Sequence, residues 1–168
     1  MSVSALDELA RRLGADVSVV DRLATDEHAR WAVLSEALGD IALHPLVLAA
    51  TRDEPDSVMA ASVVTSALEV VAPGERATWV AALPAEERAY AARRADDLEM
   101  LDNVLDGRAS PEEVAALPDR TPWLQLRVAG TARDPATLTV LEGRGTTRRV
   151  RGAARQRLIE LRKGRLGR

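Results

Sequence analysis

Cysteine is absent from this chain of 168 residues. Its absence excludes disulfides, thiolate metal sites, cysteine-held iron–sulfur clusters and a cysteine nucleophile. It fits a cytoplasmic setting. Phenylalanine is also absent, and the aromatic residues are only Trp31, Trp79, Tyr90 and Trp123. With so few rings, the core has to be assembled from Ala, Val and Leu, which suits closely packed helices. Histidine occurs twice (His28, His44), and lysine once, at Lys163, so arginine supplies 22 of the 23 basic residues. That bias follows from a bacterial genome rich in G and C, or from a use for planar guanidinium groups in binding phosphate or carboxylate. No apolar run approaches the ~20 residues that span a bilayer, and no membrane contact is expected. The first twelve residues are amphipathic, with Asp7 and Glu8 balanced by Arg11 and Arg12, which does not read as a signal peptide.

The net charge of −3 hides a division along the chain. Residues 1–143 hold 13 basic and 25 acidic groups, whereas residues 144–168 hold ten basic groups and one acid, Glu160. The chain therefore reads as an acidic helical body, 1–143, followed by a basic C-terminal helix and tail, 144–168, continuous with the last helical unit. Asymmetry of this kind marks an interaction arm.

Helix signals run almost without interruption. Ser4 caps a helix with Leu6, Leu9 and Leu13 as its stripe and Gly14 as its stop; Asp16 caps a short segment; Asp26 starts a helix running to Gly39. Pro45 opens the next helix, and the Asp53-Glu54-Pro55-Asp56 turn starts a longer one through Val58, Ala61, Val64 and Leu68. Further helices are predicted from Pro73 to Leu83 and from Ala85 to Leu105, where Glu86, Glu87 and Arg93-Arg94 face solvent. Leu124 to Val128 alternates weakly and competes as a strand.

The last third repeats with an offset of 24. Pro111, Val114 and Leu117 recur as Pro135, Leu138 and Leu141; Leu126-Arg127 recurs as Val150-Arg151, and Ala129 as Ala153. Ser110 and Asp134 precede the prolines as N-caps, and proline suits the first helical position because its missing donor is not needed there. A looser period of 27 aligns Asp26-Glu27 with Asp53-Glu54. Periods of this size indicate stacked helical units, which present long surfaces to large partners.

The runs Leu126-Arg127-Val128-Ala129, Asp134-Pro135 through Leu138 to Leu141, and Arg149-Val150-Arg151 with Ala153-Ala154 resemble the variant leucine-rich repeat, a family close in style to HEAT and PBS-lyase-type repeats. The resemblance covers about residues 108–161 and, more weakly, 20–70. It implies an all-α, right-handed superhelical solenoid of irregular short repeats used for macromolecular binding. The iron–sulfur cysteines found beside the repeats in some relatives are missing, so no redox role carries over.

Catalytic patterns are weak. His28 and His44 would need to converge with Asp26 or Asp40 to hold a metal; otherwise they are exposed or helix-end histidines. There is no Gly-x-Ser-x-Gly elbow. Asp96, Asp97, Glu99 and Asp102 read as a solvated acidic face, and Gly143-x-Gly145 as a turn. A helical-repeat DNA glycosylase is a remote alternative, because the chain is short and poor in aromatics. No cofactor, metal or catalytic residue is expected.

The most specific site is the C-terminal helix. At 100° per residue, Arg148, Arg151, Arg155 and Arg162 fall within an arc of about 60°, beside an apolar stripe of Val150, Ala153, Ala154, Leu158 and Leu161. Arg157 falls inside that stripe, so it must snorkel, pair with an acid or mark an open surface. Gly152 costs the helix about 1 kcal/mol relative to alanine. The contact set is Arg144, Arg148, Arg149, Arg151, Arg155, Arg162, Lys163 and Arg165, with Arg127 as a contact on the concave face. Its partner is either another protein with an acidic surface, this chain's own N-terminal half included, or the phosphate backbone of DNA or RNA; an ordinary solvated tail competes with both. The expected role is a non-catalytic binding module or adaptor, with a nucleic-acid-binding accessory protein as the alternative. Oligomeric state is left open.

Overall fold

A computed structural model describes residues 4–166, with side chains to residue 164. The described residues contain eleven α-helices and no strand. In chain order these are α1 (Ala5–Arg12), α2 (Val17–Arg22), α3 (Glu27–Ala37), α4 (His44–Arg52), α5 (Ser57–Ala67), α6 (Arg76–Ala81), α7 (Arg88–Leu105), α8 (Pro111–Ala115), α9 (Pro122–Thr131), α10 (Pro135–Arg144) and α11 (Arg148–Leu166). The Leu124–Val128 run is helical, inside α9. The chain divides into two compact units, Met1–Ala95 and Asp96–Arg168.

In unit 1, α1 packs on α3 and α4, α3 and α4 pack on α5, and α5 packs on α6. The core is small and aliphatic: Leu9, Val33, Leu34, Ala37, Val47, Val63, Val64, Ala67 and Leu68 are fully or almost fully buried. Trp79 joins it, whereas Trp31 stays 38 % exposed and Tyr90 57 %.

The internal repeat of unit 1 is longer than its sequence suggests. Asp26 caps α3 by accepting from the His28 and Ala29 N–H groups, at 2.9 and 3.3 Å. The matching cap is Asp56, which accepts from Val58 and Met59 at 2.9 and 3.1 Å. The offset is 30 rather than 27, and it carries buried Val33, Leu34, Ala37 and Leu38 onto buried Val63, Val64, Ala67 and Leu68. Asp53 ends α4 instead of starting α5, and Glu54 turns inward to Arg30, 3.1 Å away. Asp16 precedes α2 without a side-chain cap bond.

A second device recurs in this unit. A 3-10 turn (Ile41–Leu43, Pro73–Glu75 or Ala85–Glu87) leads into α4, α6 or α7. The first residue of each of these helices then reaches back to a carbonyl at or just beyond the end of the helix before it. His44 Nε2 lies 3.1 Å from Leu38 O, Arg76 Nε donates to Leu68 O at 3.2 Å, and Arg88 Nε donates to Leu83 O at 2.7 Å. A carbonyl only accepts, so His44 carries its proton on Nε2. The last carbonyls of a helix have no partner within it. Arg76 supplies one at Leu68 O, and Arg88 supplies another at Ala81 O, 2.9 Å from its Nη2, which gives part of the arginine content a structural role.

In unit 2, α11 lies on α9 and α10, and α10 also meets α8 and the Leu117–Asp119 turn. Leu117, Leu124, Val128, Ala129, Leu138, Leu141, Val150 and Ala154 form its core. Ser110 caps α8 in a full capping box with Glu113, and Asp134 caps α10. The first helices of the two hairpins match at the offset of 24, since Leu117 and Leu141 are both fully buried. The second helices match at 26. Thr121 and Thr147 are their caps, and Leu124, Val128 and Ala132 correspond in burial to Val150, Ala154 and Leu158. Two extra residues before α11 account for the change.

Candidate functional site

The segment that positions α11 is held by polar groups. Gln125 is fully buried and makes four hydrogen bonds. Its amide donates to Pro118 O at 3.1 Å and Arg120 O at 2.7 Å, and its Oε1 accepts from the Thr146 N–H at 2.9 Å and hydroxyl at 3.1 Å. One side chain thus ties the end of one hairpin to the corner preceding α11. Gly145, also buried, forms that corner; its N–H donates to Leu141 O at 2.9 Å. Thr147 Oγ1 then accepts from the Val150 N–H at 3.1 Å and starts the helix.

The cap of α10 is electrostatically fixed as well. The Thr137 backbone N–H, the Thr137 hydroxyl and the Ala136 N–H all donate to Asp134 and hold its carboxyl below the usual carboxylate range, against the opposing effect of burial.

The acidic group in α7 is not a uniformly solvated face. Asp96 and Glu99 are exposed, but Asp97 is only 5 % exposed and accepts a short hydrogen bond from the Thr121 hydroxyl. Thr121 also accepts from the Leu124 N–H at 3.2 Å. Asp97 therefore orients the cap of α9, a role invisible without the fold because the two residues are 24 positions apart.

Along α11, Val150, Ala154 and Leu158 of the predicted apolar stripe are buried, while Ala153 and Leu161 are half-buried. The cations divide into two sets. Arg151 turns back to Gly145 O at 2.5 Å, Arg144 reaches Ala115 O at 3.4 Å, and Arg155 pairs with Glu142 at 2.9 Å. Arg157 resolves its awkward position by donating to Ala132 O at 3.2 Å and pairing with Glu160 at 3.2 Å. The other set is Arg148, Arg149, Arg162 and Lys163; all four are exposed, and none forms an ion pair among the described residues. From Arg148 to Lys163 they extend about 22 Å at 1.5 Å per residue. Arg165 falls outside the residues whose side chains are described. Arg127 sits on α9 with its guanidinium 5.6 Å from the centre of the Trp123 ring.

Sequence reasoning missed Ile159, which is 38 % exposed. On the helical wheel it lies opposite the buried stripe and on the same side as Arg162 and Lys163. That position was the available signal. The open face of α11 is thus a single apolar residue among cations, not a row of guanidinium groups alone.

The histidines stay apart in role. His28 has its side chain 89 % exposed beside Asp26 and Glu27, while His44 is buried, with its ring perpendicular to that of Trp79 at 6.0 Å between ring centres. Among the described residues no group of three His, Asp or Glu side chains is placed to hold a metal ion. Nor, among those residues, is any single helix long and apolar enough to cross a membrane. No protein family, curated protein or solved structure matches the chain.

Proposed function

We propose that this protein is a non-catalytic binding module whose contact surface is the open face of α11, and that its partner is a protein with an acidic surface. The observation that carries this reading is the packing of α11. Val150, Ala154 and Leu158 fasten one side of the helix to unit 2, leaving Arg148, Arg149, Arg162 and Lys163 exposed without carboxylates of their own. Burying such cations against nothing would be unfavourable; matching them with acidic groups steers association and sets specificity. Paired helices with recurring caps in each unit support reading each as a short run of HEAT-like or variant leucine-rich repeats.

Ile159 favours protein over nucleic acid, because an apolar side chain amid cations suits a mixed protein interface. The arm also has no aromatic ring on which a base could stack. Unit 1, with 9 basic and 15 acidic residues, would repel a polyanion.

Fluorescence anisotropy with a labelled glutamate-rich peptide and a labelled DNA duplex tests the reading. The wild-type chain is expected to bind the peptide in a salt-sensitive manner. The variant Arg148→Glu, Arg149→Glu, Arg162→Glu, Lys163→Glu should lose at least about tenfold in affinity. Tighter binding of the duplex, falling steeply with salt, would transfer the function to phosphate recognition. Equal binding by the two chains would refute both.

A further inference from the structure

We propose that the cleft between the first turns of α3 and α5 receives the end of α11 from a second copy of this chain, so that copies associate tail to cleft. The inference rests on the reading of α11 as the contact surface and names its occupant.

The cleft lies wholly within unit 1, measures about 350 Å³ and is lined by Glu27, His28, Trp31, Asp56, Val58, Met59 and Ser62. Its apolar part includes exposed side chains: Val58 is 74 % exposed and Trp31 38 %. Its rim is acidic. The Glu27 side chain is 61 % exposed, and Asp56 is half-buried and uses Oδ1 for both of its cap bonds to α5, so its other carboxylate oxygen makes no cap bond. An apolar floor between two carboxylates asks for an apolar side chain flanked by cations.

Such a segment exists on the same chain. Ile159 projects from the open face of α11, and Arg162 and Lys163 follow it at i+3 and i+4, where they share that face. Seating Ile159 against Trp31 and Val58 places the two cations over the rim carboxylates. The electron-rich face of Trp31 also suits a guanidinium group. The charges of the two regions agree with this pairing, because residues 1–95 carry a net −6 and residues 144–168 a net +9.

Two different surfaces meet in such a contact, so it is heterologous. Each pair leaves one cleft and one tail unused, and further copies add until a ring closes or a filament grows. The affinity expected of so small a contact is about 10 µM.

Sedimentation velocity of the full-length chain over a range of concentration and salt tests the proposal. The wild-type protein should pass from monomer to dimer and beyond as concentration rises, and return to monomer as salt is raised. A cleft variant, Trp31→Ala with Glu27→Arg, and a tail variant, Arg162→Glu with Lys163→Glu, should each remain monomeric, with helical circular dichroism unchanged. An equimolar mixture of the two restores one intact cleft and one intact tail, so it should form dimers and stop there. A wild-type chain that stays monomeric, or a mixture that does not dimerise, overturns the proposal. Trp31-dependent binding of an unrelated arginine-rich peptide to a monomeric wild-type chain would assign the cleft to a different basic partner and also overturn it. If association fails while α11 still binds the glutamate-rich peptide, only this inference falls. If α11 charge reversal changes neither, the reading of α11 falls as well.

Discussion

Replacing Gly145 and Gly152 with alanine should change stability in opposite directions. Gly145 has φ −55° and ψ 138°, which any residue can adopt. Backbone entropy alone would then make Gly145→Ala stabilising by about 0.4–1 kcal/mol. Packing argues the reverse. A Cβ there would lie 2.6 Å from Leu141 O, 2.7 Å from Val150 Cγ1 and 3.3 Å from Arg151 Cγ. The first of these is backbone and the second a buried core methyl, so neither can swing aside. The corner would have to open, stretching the Gly145–Leu141 hydrogen bond and displacing the Gln125–Thr146 contacts. Overpacking of this kind costs about 2–3 kcal/mol, which exceeds the entropy gain. Gly152 lies in the second turn of α11 with nothing within 4 Å of its Cβ position. Gly152→Ala should stabilise by about 1 kcal/mol through helix propensity alone. Urea unfolding followed by circular dichroism, with calorimetry to separate transitions of the two units, measures both effects. In a protein of this size they correspond to melting shifts of about 2–4 °C per kcal/mol. A Gly145→Ala chain as stable as the wild type would refute the packing argument. A destabilised Gly152→Ala chain would refute the placement of α11.

Three further outcomes follow from the same contacts. Gln125→Leu strands two carbonyls and the Thr146 N–H, and chemical denaturation should show a loss of about 2–4 kcal/mol. Arg30→Met leaves Glu54, whose side chain is 2 % exposed, without its cation; the loss should be about 3–5 kcal/mol, and Glu54→Gln in the same chain should recover part of it. Asp134→Ala should cost about 1 kcal/mol at neutral pH. The folded carboxyl titrates below its unfolded value, so the stabilisation is full above pH ~4 and is lost as pH falls through the lower folded value. The gap between Asp134→Ala and wild type should therefore close in acid, and unfolding curves measured across that range will show whether it does.

Helix identity was legible in the sequence because it is written locally. Asp26, Ser110 and Asp134 as caps, prolines at first helical positions and the Val150–Ala154–Leu158 stripe all depend on neighbours within one or two turns. Repeat lengths were less legible. Asp53 and Asp56 both look like caps, and only the docking of Glu54 on Arg30 assigns the role to Asp56. The basic character of the tail was plain from composition, but its division into occupied and open cations was not. Arg151 and Arg155 share an arc with Arg162, yet Gly145 O and Glu142 engage the first two. The sequence alone thus determined that the chain is helical, where most helices begin, and which side of α11 is buried, since these follow from spacing and short-range sterics. Tertiary structure alone decided that Asp97 is buried beneath Thr121, that Gln125 anchors the corner at Gly145, and which arginines remain open, because each depends on groups brought together from distant parts of the chain.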